Sequence, residues 1–236
     1  MARRTKEEAL ATRHKLLDAA ECLFQAQGVS RTSLQDIARL AGATRGAIYW
    51  HFKDKADLFN AMMERVTLPM EESFFNDSNP PQGSDGASVD PLHRIRHVTV
   101  NALWQIVNDA QTRRVFEVAT QKVEYVEELQ AVRQRHLTVR KGFLNFVAHG
   151  METAAQQTGL TLVVPAATAA QGLHALVDGL IQNWLLDPKA FDLLEVGQSA
   201  MNAYLLGLGF ANEQAPAKPP AVTAMPAGQY KPLYRP

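Results

Sequence analysis

The segment Thr44–Lys55, TRGAIYWHFKDK, places Tyr49, Trp50, Phe52 and His51 among three basic residues, Arg45, Lys53 and Lys55, within twelve positions. Cations interleaved with aromatics and small polar residues suit a surface that meets a polyanion, because the cations neutralise phosphates and the aromatics supply flat contact area. A second constellation, His174 and Asp178, stands four residues apart in the otherwise apolar run GLHALVDGLIQNWLLDP, so an α-helix would set both on one face. Charge in such a setting needs a partner or a purpose. One reading is structural, with His174 and Asp178 bonded to each other or to Arg133, Arg135 or Arg140. Another is a ligand pocket whose carboxylate attracts a cationic or hydrogen-bonding molecule. A catalytic acid–base or metal pair is the third, but two residues do not close a metal site. No HExxH, cysteine pair, GxSxG or phosphate loop accompanies them. No cofactor, metal or catalytic residue is expected.

The elements that must position these residues are helical. Apolar positions follow the 3.6-residue period and no run alternates with period two, so the expected class is all-α. Leu10, Leu16, Leu17, Ala20, Leu23 and Phe24 form the stripe of a first helix that stops at Gly28. Thr32 with Gln35 reads as a capping box for a short helix through Leu34, Ile37 and Ala38, ending near Gly42. Thr44 caps a third helix, and Asp54 opens a fourth through Leu58, Phe59, Met62, Met63 and Val66. The stretch Asn76–Asp90, rich in Pro, Gly, Ser, Asn and Asp, reads as a loop. Beyond it Asp90-Pro91 starts a helix through Leu92, Ile95, Val98, Leu103 and Ile106. Later helices are expected over 114–122, 126–153, 166–186 and 189–208. The expected division is a first part over 1–54, a larger body over 55–211, and a Pro-rich disordered tail over 212–236. That tail serves as an unpaired linker or a docking peptide.

The chain has 236 residues and no formal net charge, enough length for a core without covalent staples. Basic residues outnumber acidic ones in its first quarter, as expected where one part of a molecule meets a polyanion. Its single cysteine, Cys22, lies among Ala19, Ala20, Leu23 and Phe24 and is expected to be buried. The N-terminus lacks an apolar leader, and no segment reaches the roughly 18 uninterrupted apolar residues of a membrane span. The expectation is a cytoplasmic protein that does not associate with membrane.

Ala38, Gly42 and Ile48 have the spacing of a helix-turn-helix. The small residue lies under the helix crossing, the glycine takes the positive φ of the turn, and Ile48 anchors the second helix. On that helix Ile48 and Phe52 share one face while Arg45 and Tyr49 share another, which is free to meet DNA. Thr44 and Gly46 allow close backbone approach, and His51, Lys53 and Lys55 suit phosphates. Trp50 and Phe52 are expected in the core; Arg31 and Lys6 are either phosphate contacts or ordinary surface.

The segment RTSLQDIARLAGATRGAIYWHFKDKADLF closely resembles the DNA-binding segment of the TetR family of bacterial transcription regulators. With ARRTKEEALATR, it is most similar to the AcrR-type repressors of multidrug efflux operons. The resemblance implies an all-helical homodimer with a three-helix helix-turn-helix DNA-binding head and a larger C-terminal body for ligand binding and dimerisation. It implies DNA contacts from Thr32, Ser33, Thr44, Arg45, Gly46, Tyr49, His51 and Lys55. A palindromic operator would be released when a hydrophobic or cationic small molecule binds the body; an activator or a regulator of lipid or other metabolic genes is the alternative.

The body resembles that subgroup through DAQTRRVFEV and GLHALVDGLIQNWLLDP. Leu173, Leu176, Val177, Leu180, Ile181, Trp184 and Leu185 surround their helix, which is expected to be mostly buried. With the following helix, it forms either a four-helix dimer interface or the core of a monomer. Trp104, Phe116 and Val177 are candidate apolar walls of a ligand pocket, with Thr120, His174 and Asp178 as polar contacts.

Overall fold

The structure, a computed structural model, describes residues 6–75 and 90–210, and of 68–75 the backbone alone. The expected loop from Asn76 to Val89 and the tail beyond Glu213 lie outside the described residues. Among the described residues there are nine α-helices, one 3-10 turn and no strands.

Helix α1 (Lys6–Gln27) buries Leu16, Leu17, Ala20 and Phe24 and ends at Gly28, whose φ of +86° favours a residue without Cβ. Cys22 is exposed, contrary to expectation. It lies two positions from both Ala20 and Phe24, about 200° around the helix from the buried stripe. Helix α2 (Leu34–Leu40) is capped one residue later than expected, by Ser33 with Asp36 rather than by Thr32 with Gln35. The Thr32 hydroxyl instead donates to the Gly28 carbonyl at 2.7 Å and accepts from Gln27 Nε2 at 3.1 Å. The turn after α2 closes when the Ala43 amide donates to the Ala38 carbonyl at 2.9 Å, with Gly42 at φ +64°. Helix α3 (Arg45–His51) begins at Thr44, whose hydroxyl accepts from the Ala47 amide, and Ile48 is its buried anchor. Helix α4 (Lys55–Phe75) follows after Asp54.

In the body, Asp90 caps α5 (Pro91–Asn108), with proline in its first turn as expected. Helix α6 (Ala110–Gln121) starts four residues earlier than expected because the Asp109 carboxylate accepts from both the amide and the hydroxyl of Thr112. A 3-10 turn (Glu127–Leu129) leads into α7 (Gln130–Thr158), which runs past Thr153 to the left-handed Gly159. Helix α8 (Ala166–Leu186) has its expected bounds. Helix α9 (Leu193–Gly207) begins later than Lys189, where Asp192 accepts from the Leu194 and Glu195 amides.

Two apolar clusters result. One joins α5, α7, α8 and α9 through residues such as Leu103, Val147, Leu173 and Met201. The other joins α1–α4 but also takes Val115 and Val118 from α6, Leu129 from the 3-10 turn and Val132 from the start of α7. Packing therefore does not break at residue 54: α4 completes the head core and carries it into the body. Burying each of these large side chains contributes about 1.5–3 kcal/mol. Helix α8 is less enclosed than its composition suggests, since Gln171, Ala175, Gln182 and Asn183 lie on an open face with Leu186 at 72 % exposure.

Candidate functional site

Helix α3 sorts its side chains as its spacing requires. Ile48 and Phe52 enter the core, while Arg45 and Tyr49 project outward with the guanidinium carbon 5.8 Å from the phenol ring centroid. Thr44 and Gly46 are exposed beside them. A Cβ built on Gly46 would meet only the Thr44 hydroxyl oxygen, at 4.0 Å, so internal packing does not require a glycine. Its smallness leaves room for something outside the chain to approach the backbone. Ser33 is exposed at the start of α2, with its hydroxyl 2.6 Å from an Asp36 oxygen. That hydrogen bond, more than Arg39 nearby, holds the Asp36 carboxyl below its ordinary value. His51 is half-buried and meets the Trp50 ring edge-on at 4.5 Å.

Two expected contacts lie elsewhere. Thr32 is 1 % exposed and its hydroxyl is committed to the turn before α2. Lys55 is buried: its ammonium donates to the carbonyls of Ser30 and Thr32, both at 3.2 Å, and pairs with Glu128 at 3.3 Å. Turn carbonyls without helical partners need donors, and a three-donor ammonium from the next helix supplies them. Lys55 thus ties α4 to the α2 entry and to the turn before α7. Arg31, Tyr49 and Lys53 line the shallow polar cleft above it. Trp50, expected in the core, is 73 % exposed, whereas Phe52 is 2 % exposed under the Arg13 guanidinium.

Within the body, α4, α6, α7 and α8 enclose a cavity of about 220 Å³. Four of the candidate ligand contacts, Phe116, His174, Val177 and Asp178, are in its lining. Trp104 and Thr120 are outside its lining: α5 contributes Ala102 instead, and the Thr120 hydroxyl donates to the Phe116 carbonyl at 2.8 Å. Ala102 and Trp104 lie two positions apart, so they point to opposite sides of α5. His174 meets the Phe143 ring at 5.8 Å, and the Asp178 carboxylate accepts from Gln182 Nε2 at 2.6 Å. Burial pushes the His174 pKa down, Asp178 partly offsets this, and Arg140 and His136 lower it further. The lining also carries Arg135, whose guanidinium donates to the Thr67 hydroxyl at 3.0 Å. Among the described residues, the lining thus holds Arg135, His136, Arg140 and His174 as well as the Asp178 carboxylate.

Helix α4 contributes Phe59 and Met63 to the cavity while Leu58 and Met62 hold the head core. Beside it runs a polar joint between α1 and the body. Glu21, 1 % exposed, accepts from Gln111 Nε2 at 2.9 Å and lies 3.4 Å from Arg65 and 3.7 Å from Arg114. Gln25 donates to Glu117 at 2.8 Å, and the Val29 amide donates to the Lys122 carbonyl at 3.0 Å.

Residues 16–62 match the family described as bacterial regulatory proteins, tetR family, and residues 90–210 match the C-terminal region of MAATS-type transcriptional repressors. The chain belongs to the TetR family. It is 38 % identical to the HTH-type transcriptional regulator TtgR of Pseudomonas putida over 194 residues, 82 % of this chain and 90 % of that protein. The crystal structure of NalD, the secondary repressor of the MexAB-OprM multidrug efflux pump in Pseudomonas aeruginosa, superposes with a TM-score of 0.75 at 34 % identity, covering 86 % of this chain and 98 % of NalD. A SmeT–triclosan complex gives a TM-score of 0.73 at 29 % identity, covering 89 % of this chain and 99 % of SmeT. SmeT is the repressor of the SmeDEF multidrug efflux pump of Stenotrophomonas maltophilia.

Against this TetR-family frame, sequence reasoning missed Trp50 at the head surface, although its i, i+4 relation to the open Gly46 places it on that side. It also placed Phe59 and Met63 on the fourth helix without seeing that they reach the cavity, and overlooked His136 and Phe143 as cavity walls. On α7, His136, Arg140 and Phe143 recur at i, i+4 and i+7, a stripe of mixed chemistry that hydrophobic periodicity does not single out. Among the described residues, no helix is long and apolar enough to cross a membrane.

Proposed function

We propose that this chain is a homodimeric, ligand-released repressor of an operon encoding a multidrug efflux system, acting in the cytoplasm on a palindromic operator. The observation that carries this reading is the continuity of α4, which supports the outward Arg45/Tyr49 face at one end and lines the body cavity with Phe59 and Met63. Each head sets α3 in a major groove, with Arg45 and Tyr49 toward base edges and backbone, Gly46 allowing close approach, and Thr44, Ser33 and His51 near phosphates. The open faces of α8 and α9 suit a two-fold four-helix contact. Ala175, Ser199 and Ala203 are small and exposed there, next to the exposed Leu186 and Leu206. A hydrophobic molecule in the cavity favours an α4 placement whose head separation no longer fits the operator, a population shift that requires unequal ligand affinity for the two arrangements.

The test is an Arg45→Ala, Tyr49→Ala double variant, titrated with upstream DNA and a scrambled duplex at several salt concentrations. The expected result is loss of about 100-fold or more in specific affinity, from contacts worth roughly 1–3 kcal/mol each, with the circular dichroism spectrum and the dimer mass by sedimentation unchanged. Retained sequence-specific affinity would overturn the assignment of α3; a monomer in the wild type would overturn the dimer.

A further inference from the structure

Besides α4, a second element runs from the cavity wall to the head: the connector over 122–129, which leaves α6 and enters α7 through the 3-10 turn. Its head side is fastened to the turn between α1 and α2. The Lys122 carbonyl accepts from the Val29 amide at 3.0 Å, and the Ser30 hydroxyl donates to the Glu124 carboxylate at 3.2 Å. Glu128 pairs at 3.3 Å with the Lys55 ammonium, which also holds the Ser30 and Thr32 carbonyls. Val123 packs on the head core and Leu129 is buried in it. On the other side Tyr125 lines the cavity while half of it stays exposed. The piece between is short and internally bonded. The Val126 amide donates to the Glu124 carbonyl at 2.9 Å, closing a three-residue turn around Tyr125, and the Leu129 amide donates to the Val126 carbonyl at 2.9 Å.

We infer that Glu124 and Glu128 are positioning residues for the DNA-binding face, and that Tyr125 between them conveys occupancy of the cavity to that face. The second half rests on the reading of the cavity as the ligand site. Ser30 and Thr32 lead directly into Ser33, the exposed cap of α2, so a shift of the connector moves the entry of the helix-turn-helix. A molecule that displaces the Tyr125 ring turns the bonded piece around it, and the carboxylates on either side move off Ser30 and Lys55. Both carboxylates are on exposed residues, so these contacts add little to stability and exchange readily, as a switch requires. Lys55 also opens α4, so the two routes from the cavity meet at one ammonium.

A Glu124→Ala, Glu128→Ala double variant of the full chain tests the positioning role without any ligand. Deleting two negative charges beside a DNA-binding face should by itself tighten binding to every duplex. Positioning predicts the opposite sign for upstream DNA: specific affinity about threefold or more lower, with affinity for a scrambled duplex unchanged or higher. A parallel rise on both duplexes, or no change on either, overturns it. The role of Tyr125 is read from the ratio of DNA affinities without and with saturating biphenyl-4-carboxamide, a ratio that does not depend on how tightly the probe binds. The wild-type ratio is expected to be about tenfold or more, falling to about threefold or less in Tyr125→Ala and in the double variant. Equal ratios in wild type and variants overturn the connector as a route and leave the ligand-released repressor standing. A wild-type ratio of one, with calorimetry showing the probe bound, overturns the repressor reading and with it the role of Tyr125; the duplex comparison still decides that of Glu124 and Glu128.

Discussion

The head and the body hold their functional groups in different ways. In the head, two seven-residue helices, α2 and α3, are fixed by local devices: a Ser33–Asp36 capping box, a Thr44 cap and a left-handed Gly42. Helices this short are not stable by themselves, and caps plus buried anchors such as Ile37 and Ile48 hold them. Their outward side chains are set by position within one helix. In the body, the cavity exists only because α4, α6, α7 and α8 converge, and no single helix carries its chemistry. Local order thus produces a binding surface in one region, and long-range packing produces a binding volume in the other.

The largest test of this contrast sets neighbours against each other. Phe52→Ala should cost about 3–5 kcal/mol, because it empties a 2 % exposed position at the end of α3, whereas Trp50→Ala should change stability by less than about 0.5 kcal/mol. Chemical denaturation of both variants checks this; equal losses would contradict the placement of Trp50 outside the core. An intermediate effect is expected in the body. A Cβ on Gly172 would overlap the Tyr204 hydroxyl, which donates to the Ala169 carbonyl at 2.9 Å and locks α8 to α9. Gly172→Ala should therefore cost about 1–3 kcal/mol by thermal melting, and Gly172→Ala with Tyr204→Phe should recover part of it.

The smallest effect concerns the joint between the regions. Burial raises the Glu21 carboxyl pKa, with Gln111, Arg65 and Arg114 opposing the shift and Asp18 adding to it. A raised carboxyl pKa means the folded chain keeps a proton that the unfolded chain has released. Its contribution is complete below the ordinary carboxylate value and is lost as pH rises through the raised folded value. Glu21→Gln removes that titration, so its stability should fall less than wild type across the same rise in pH. Parallel stability profiles would show that Glu21 does not titrate in the joint.

How much was legible follows from the same contrast. The helix-turn-helix was readable because Ala38, Gly42 and Ile48 interact across a handful of residues, and all later become buried or turn positions as expected. Helix bounds were displaced where another residue capped the helix, one position away at Ser33 and about a turn away at Asp109 and Asp192. Thr32 and Lys55 were misplaced because their hydrogen-bond partners, the Gly28, Ser30 and Thr32 carbonyls, become accessible only when the turn is built. In the cavity, His174, Val177 and Asp178 shared a helix face and could be grouped, and Phe116 was found from its type alone. Arg140 and Phe143 lie some thirty residues away from that face, and only the α7–α8 contact brings them to it.

The central claim is that cavity occupancy in the body sets DNA affinity in the head. It is tested most directly by fluorescence anisotropy of labelled upstream DNA, measured with and without a neutral aromatic probe, biphenyl-4-carboxamide, for wild type and for Ala119→Trp, which fills the cavity from α6. The account predicts that a probe bound by the wild type weakens its DNA binding at least tenfold, and that the filled variant no longer responds to it. DNA affinity that stays constant while calorimetry shows the cavity occupied would contradict it.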